Sequence, residues 1–151
     1  MRPLSPIHRF AFALLATALT ALTARADVKL ASPFTDHMVL QREMSVPVWG
    51  WADAGEKVTV RFAGQSVAAT AGADGKWRAD LAALTASAES RDFVVSGKNT
   101  ITLKDVLVGE VWLGSGQSNM VFVVSKARGR PYGLINEEQE IVAANYPTIR
   151  M

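Results

Sequence analysis

The sequence predicts an N-terminal all-β sandwich followed by the start of an α/β domain, and three observations carry that prediction. Between Val28 and Asp105, short runs of alternating apolar and polar residues are separated at regular intervals by Gly- and Asp-bearing turns. At Val106 the alternation gives way to two nearly continuous apolar runs, Val106-Leu107-Val108 and Val111-Trp112-Leu113, the pattern of a strand covered on both faces. Beyond them come a Gly-rich turn, a helical pattern and the start of a further strand, the order that opens an α/β domain.

Before the sandwich lies a segment that is not part of the fold. Arg2, His8 and Arg9 make a basic start, Phe10 to Leu22 is apolar without a charge, and Ala24-Arg25-Ala26 offers a small-x-small cleavage site. This is the pattern of a secretory signal over residues 1–26, too short to span a membrane, so the protein is expected to be exported to the periplasm or the medium. Removing it changes the charge. Arg2, Arg9 and Arg25 leave, so Lys+Arg falls from 16 to 13 against 14 Asp+Glu, a net charge of −1. No basic stripe then points to nucleic acid, and no polybasic run points to a membrane surface. The chain has no cysteine, which excludes disulfides, zinc–thiolate sites and a cysteine nucleophile, and leaves stability to a packed core.

Expected strands are Val28–Ala31, Met38–Leu40, Val46–Trp51, Lys57–Phe62, Ser66–Thr70, Lys76–Asp80, Phe93–Ser96 and Thr100–Leu103. Asp53-Ala54-Gly55, Ala63-Gly64, Asp74-Gly75 and Gly97-Lys98-Asn99 separate them, and Asp74-Gly75 reads as a hairpin turn. Val58, Val60 and Phe62 fall on one face, Thr59 and Arg61 on the other. Leu81 to Ser90, rich in Ala and Ser, reads as a loop or short helix. Residues 27–105 therefore form the sandwich and 106–151 the first part of the second domain. In that part Met120–Val124 fits helix or extended chain, and Ser125–Tyr132 reads as a loop. Asn136–Asn145 is helical, with Asn136 as N-cap, acids in the first turn and Pro147 past the end. Thr148–Met151 begins a strand. One parallel strand pair cannot bury itself, so this portion is expected to be poorly folded alone.

Strand, tight turn and serine bring attention to Ser118. A serine at the carboxyl end of a strand is how several hydrolase folds present a nucleophile. The flanking Gly114, Ser115 and Gly116 let the backbone turn sharply and let a carbonyl approach backbone N–H donors. A serine in a Gly-rich turn is also commonplace, and Gly-x-Gly-x-Ser is not the nucleophile-elbow pattern. A serine nucleophile further needs a base. After the signal there is one histidine, His37. Pairing Asp36, His37 and Ser118 is conceivable, but adjacent strand residues point to opposite faces, so a turn histidine packing locally is the better reading. One histidine and scattered acids make no metal site. Trp49, Trp51, Trp77 and Trp112 could be sugar-stacking platforms, with core packing the favoured reading. Lys126, Arg128 and Arg130 read as a solvated loop, and Glu137, Glu138 and Glu140 as the wet face of a helix.

Several ordered blocks now carry a resemblance. They are Pro33-Phe34-Thr35-Asp36-His37-Met38-Val39-Leu40-Gln41-Arg42, Val46-Pro47-Val48-Trp49-Gly50-Trp51-Ala52, Asp74-Gly75-Lys76-Trp77 and Asp105 through Leu113, ending in Gly114-Ser115-Gly116-Gln117-Ser118-Asn119-Met120. Together they resemble the sialate O-acetylesterase family, carbohydrate esterases of the SGNH/GDSL hydrolase superfamily. The resemblance implies a β-sandwich followed by a flavodoxin-like α/β domain of the SGNH hydrolase type. It implies removal of O-acetyl groups from sugars, typically sialic acids, through an acyl-enzyme, with no cofactor. Ser118 would be the nucleophile and its own N–H an oxyanion donor, with Gly116, Gln117 and Asn119 as motif context. The remaining oxyanion donors, a Gly and an Asn, and the catalytic Asp and His of a late Asp-x-x-His segment have no counterpart in these 151 residues; Asn119 does not take the oxyanion role. The resemblance thus marks an N-terminal fragment, expected to be inactive or nearly so by itself. Acetylated xylan or another glycan is the alternative substrate. A non-catalytic exported sandwich binding glycan or protein is the alternative function, and it leaves Ser118 unexplained.

Overall fold

The architecture was taken from a computed structural model, which describes residues 27–121, 123–124 and 133–150. The expected signal segment and the Lys126-Arg128-Arg130 run lie outside the described residues. The described residues form eight strands: β1 Lys29–Leu30, β2 Val39–Gln41, β3 Val46–Trp51, β4 Lys57–Phe62, β5 Gln65–Thr70, β6 Lys76–Leu81, β7 Ser87–Ser96 and β8 Thr100–Gly109. They make two sheets, one of three strands in the order β1-β3-β6 and one of five in the order β2-β8-β7-β4-β5. Every pairing is antiparallel except β2 with β8, which run parallel from Val39↔Leu107 to Gln41↔Gly109.

The strict alternation of β4 decides its burial. Val58, Val60 and Phe62 are buried and Thr59 and Arg61 face outward. They meet Val46, Val48, Trp77, Ala79 and Leu81 of the three-stranded sheet, and Phe93, Val95, Val106 and Val108 of β7 and β8 complete the core. Among the described residues no polar or charged residue is buried. Each fully buried Val, Leu or Phe contributes roughly 1.5–3 kcal/mol relative to exposure, which is how a cysteine-free domain of this size holds together. At the centre Phe93 packs on Phe62, ring centroids 5.5 Å apart, and on Phe34 at 6.3 Å.

Several elements differ from the sequence prediction. Asp74-Gly75 is a tight turn, with Gly75 at φ 75° and its N–H donating to Gly72, but it makes no hairpin. β5 lies in the five-stranded sheet and β6 in the other, so the turn lies on the crossing between layers. The hairpin turn after β4 is Ala63-Gly64, with both residues at positive φ as a two-residue turn requires. The Ala/Ser-rich stretch from Ser87 becomes the outer half of β7, paired with β8 through register shifts near Arg91. β8 runs on through Asp105 and Val106 to Gly109 as part of the sandwich, burying Val106, Leu107 and Val108. The second apolar run, Val111-Trp112-Leu113, lies outside any strand and is exposed. The predicted helix forms over Glu137–Ala143 (α1). Asn136 precedes it at φ 63° without a side-chain cap bond, and α1 buries no residue; Ile141 and Val142 are exposed. No strand forms over Thr148–Arg150.

Candidate active site

Ser118 opens a single 3₁₀ turn, Ser118–Val121, that follows eight residues of irregular chain after β8. Met120 N–H donates to the Gln117 carbonyl at 3.0 Å and closes the turn. Its side chain lies back over the glycines. A Cβ on Gly114 would stand 2.7 Å from Met120 Cε, and one on Gly116 3.1 Å from Met120 Cγ. Gly116 also sits at φ 147°, a conformation that side-chain-bearing residues avoid. Gly116 is therefore favoured by its backbone, Gly114 gives Met120 room to lie as it does, and the turn leaves Ser118 exposed. Among the described residues no side chain hydrogen-bonds its hydroxyl.

The chain leading to that turn is fastened to the sandwich. The Gln41 side chain accepts from the Val111 N–H at 2.8 Å and donates to Glu110 at 3.3 Å; Arg42 Nε donates to the other Glu110 oxygen at 2.6 Å, and Arg42 N–H donates to the Gly109 carbonyl. Hydrogen bonds from Gln41, then from Arg42, hold the Glu110 carboxyl below its ordinary value. The end of β2 thus guides the exit of β8. Sequence alone assigns Gln41, Arg42 and Glu110 no role. The available signal was a carboxylate, Glu110, inside an otherwise apolar run.

The Asp36–His37–Ser118 grouping is not assembled. Asp36 Oδ1 instead accepts from the Lys104 N–H at 2.6 Å. His37, in a left-handed turn at φ 62°, donates Nδ1–H to Asp105 Oδ2 at 2.6 Å, and Arg150 Nη2 reaches the same oxygen at 2.8 Å. The histidine is thus mostly exposed yet partnered 68 residues away, rather than packed against its sequence neighbours. The bond from His37, then one from Ser90, with the Arg150 charge adding to them, keeps the Asp105 carboxyl below its ordinary value. His37, Val108, Glu110, Trp112 and Arg150 line an open cleft of about 1080 Å³ between the sandwich and the C-terminal segment, and Ser118 is outside its lining. No group of three or more His, Cys, Asp or Glu that could hold a metal occurs among the described residues.

The core reading holds for one tryptophan and is corrected by burial for three. Trp77 is core, 2 % exposed, but Trp49, Trp51 and Trp112 are 39, 46 and 87 % exposed. In β3 the alternation itself carried the answer. Val46, Val48 and Gly50 point inward, so Trp49 and Trp51 must point out.

With this geometry in hand, comparison with known proteins is informative. The chain is 32 % identical over 162 aligned positions to a sialate O-acetylesterase of Mus musculus, covering 97 % of this chain. It is 35 % identical over 125 positions to the sialate O-acetylesterase of Rattus norvegicus, covering 74 % of this chain. A solved carbohydrate acetylesterase from Xanthomonas citri superposes with a TM-score of 0.60 at 37 % identity over 62 % of this chain. The chain belongs to the sialate O-acetylesterase family. It spans 28 % and 22 % of the two mammalian family members and 22 % of the bacterial one. No family model matches the sequence. The described residues are mostly β, in two sheets, with one short α-helix.

Proposed function

We propose that this protein is a serine esterase removing O-acetyl groups from sugars, with Ser118 as nucleophile and sialic acids as substrate. One observation carries the reading. In a chain of the sialate O-acetylesterase family, Ser118 stands exposed on a turn whose two neighbouring glycines are held bare beneath Met120. In this reading Ser118 Oγ attacks the acetyl carbonyl, the sugar hydroxyl leaves with a proton, and water clears the acyl-enzyme. The Ser118 N–H is one donor to the oxyanion. The general base, its aspartate and the other oxyanion donors come from residues outside the described ones, because His37 is committed to Asp105 and Asp36 to Lys104. The chain beyond β8, from Glu110 onward, then begins an SGNH-type α/β domain, later than the change at Val106 suggested, and the protein is exported by its N-terminal signal. The exposed Val111, Trp112 and Leu113 support the domain reading, since they offer an apolar surface for further layers.

The test compares the 151-residue chain with the chain extended through its reading frame, using p-nitrophenyl acetate, O-acetylated sialic acid and acetylated xylan. The extended protein is expected to hydrolyse the sialic ester fastest, and Ser118→Ala to lower the rate by about 10³-fold or more. The 151 residues alone are expected to give no Ser118-dependent turnover. Undiminished hydrolysis by the Ser118→Ala variant sinks the reading, and preference for acetylated xylan moves the substrate.

A further inference from the structure

The outer face of the three-stranded sheet carries a set of residues that neither the core nor the Ser118 turn uses. In the β1-β3-β6 register Lys29 lies opposite Trp51, and Trp51 opposite Lys76, so the three side chains form one row across the sheet. In the next row Trp49 lies opposite Arg78. Both indoles are partly exposed, and Phe34 meets Trp49 edge-on at 4.9 Å, holding that ring in place. Gly50 between them is fixed by close approach of β1, because a Cβ there would stand 1.9 Å from the Lys29 carbonyl oxygen. The rings are therefore mounted on a backbone that cannot easily shift.

Charge distinguishes the two rows. Arg78 is neutralised by a two-pronged pair with Asp80, at 2.8 and 2.9 Å to Oδ1. Lys76 shares Asp74 at 3.3 Å, and Lys29 has no ion pair among the described residues. Surplus positive charge is thus concentrated beside Trp51. The ligand that suits the row has a flat C–H face for the indole and an anionic group for the lysine. A second copy of the chain does not suit it, because it would set lysines against lysines. The row also belongs to the opposite layer from β8, whose end leads to Ser118.

We propose that Trp51, with Lys29 and Lys76 beside it and Trp49 next in line, is a non-catalytic binding site for a carboxylate-bearing sugar of a glycan chain. It would hold the protein on acidic glycan while the Ser118 turn works elsewhere. The inference rests on the proposed function only for the class of ligand, a sugar.

The test is affinity electrophoresis and tryptophan-fluorescence titration of the full chain with polygalacturonate, with polysialic acid, and with neutral galactan. Retardation by either acidic polymer but not by galactan is expected, and the two acidic arms separate uronic from sialic recognition. Trp51→Ala is expected to weaken binding about tenfold. Lys29→Gln, at an exposed position that leaves the fold unchanged, is expected to weaken it about threefold and to flatten its salt dependence. Equal binding of galactan, or binding indifferent to both substitutions, overturns the proposal. So does absence of binding with Trp51 shielded from acrylamide quenching, which would place another part of the protein or a second copy on this face. Ser118→Ala is expected to bind like the parent. Trp51-dependent binding by a protein without esterase activity defeats only the catalytic reading, and esterase activity with Trp51-independent binding defeats only this one.

Discussion

Replacing Phe93 with alanine removes a fully buried ring of the five-stranded sheet from the shared core. Phe93 is fully buried and contacts Phe62 at 5.5 Å and Phe34 at 6.3 Å. Large-to-alanine changes of this kind cost about 3–5 kcal/mol when the surroundings cannot collapse. Two aromatic contacts add value beyond the area they bury, which favours the upper half of that range. A sandwich of about 80 residues is stable by roughly 4–12 kcal/mol, so the loss consumes a large share of the total. The thermal midpoint should fall by on the order of 20 °C. Urea unfolding of parent and variant, followed by fluorescence with buried Trp77 as the reporter, measures the difference directly. Phe34→Ala serves as the internal comparison, because Phe34 is only partly buried and should cost less than half as much. A Phe93→Ala loss below about 1 kcal/mol would refute the packing, since no fully buried ring between two sheets is that dispensable.

Three further outcomes follow from local geometry. Gly50→Ala is expected to destabilise by more than about 3 kcal/mol in the same assay, because the new Cβ would overlap the Lys29 carbonyl oxygen and meet Trp77. Ala63→Gly is expected to stabilise by up to about 1 kcal/mol, because Ala63 bears the left-handed conformation at φ 47° in the β4–β5 turn; a loss would contradict that backbone. Asp105→Asn should lower the urea midpoint at pH 6 but not at about pH 2. The carboxyl is held below its ordinary value, so its stabilisation is complete above about pH 4 and disappears as pH falls through the lowered value. A parent–variant gap that stays constant from pH 6 to pH 2 would show that Asp105 does not act through its charge.

The sandwich was legible where one face is buried and the other wet. The bounds of β3 and β4 match their predicted limits because alternation starts and stops with the strands. The outer half of β7 was not legible. Ser87, Glu89 and Arg91 carry no apolar alternation, and it is pairing with β8 that makes them extended. Asp74-Gly75 announced a turn correctly but could not announce which sheet the chain would enter next, because turn chemistry is local and layer choice is not. At the candidate site, Ser118 and its glycines were legible from their own sequence. The Asp105 partner of His37 and the Gln41–Glu110 fastening were not, since both join residues 68 or 69 apart.

The single parallel ladder has a consequence for the order in which the protein comes together. β4–β5 and β7–β8 are hairpins that close within a few residues, whereas β2 must wait for Leu107, Val108 and Gly109 before it has a partner. Pairing over such a separation is slow and falls late in folding. During synthesis β2 stays an open strand until the ribosome has delivered all of β8. The next residues to emerge are Glu110 and Val111, which Gln41 and Arg42 grip, and then the serine turn. Completion of the sandwich and anchoring of the segment that bears Ser118 are thus one event in time, so a variant slow to seat β2 would release its serine segment before there is anything to hold it.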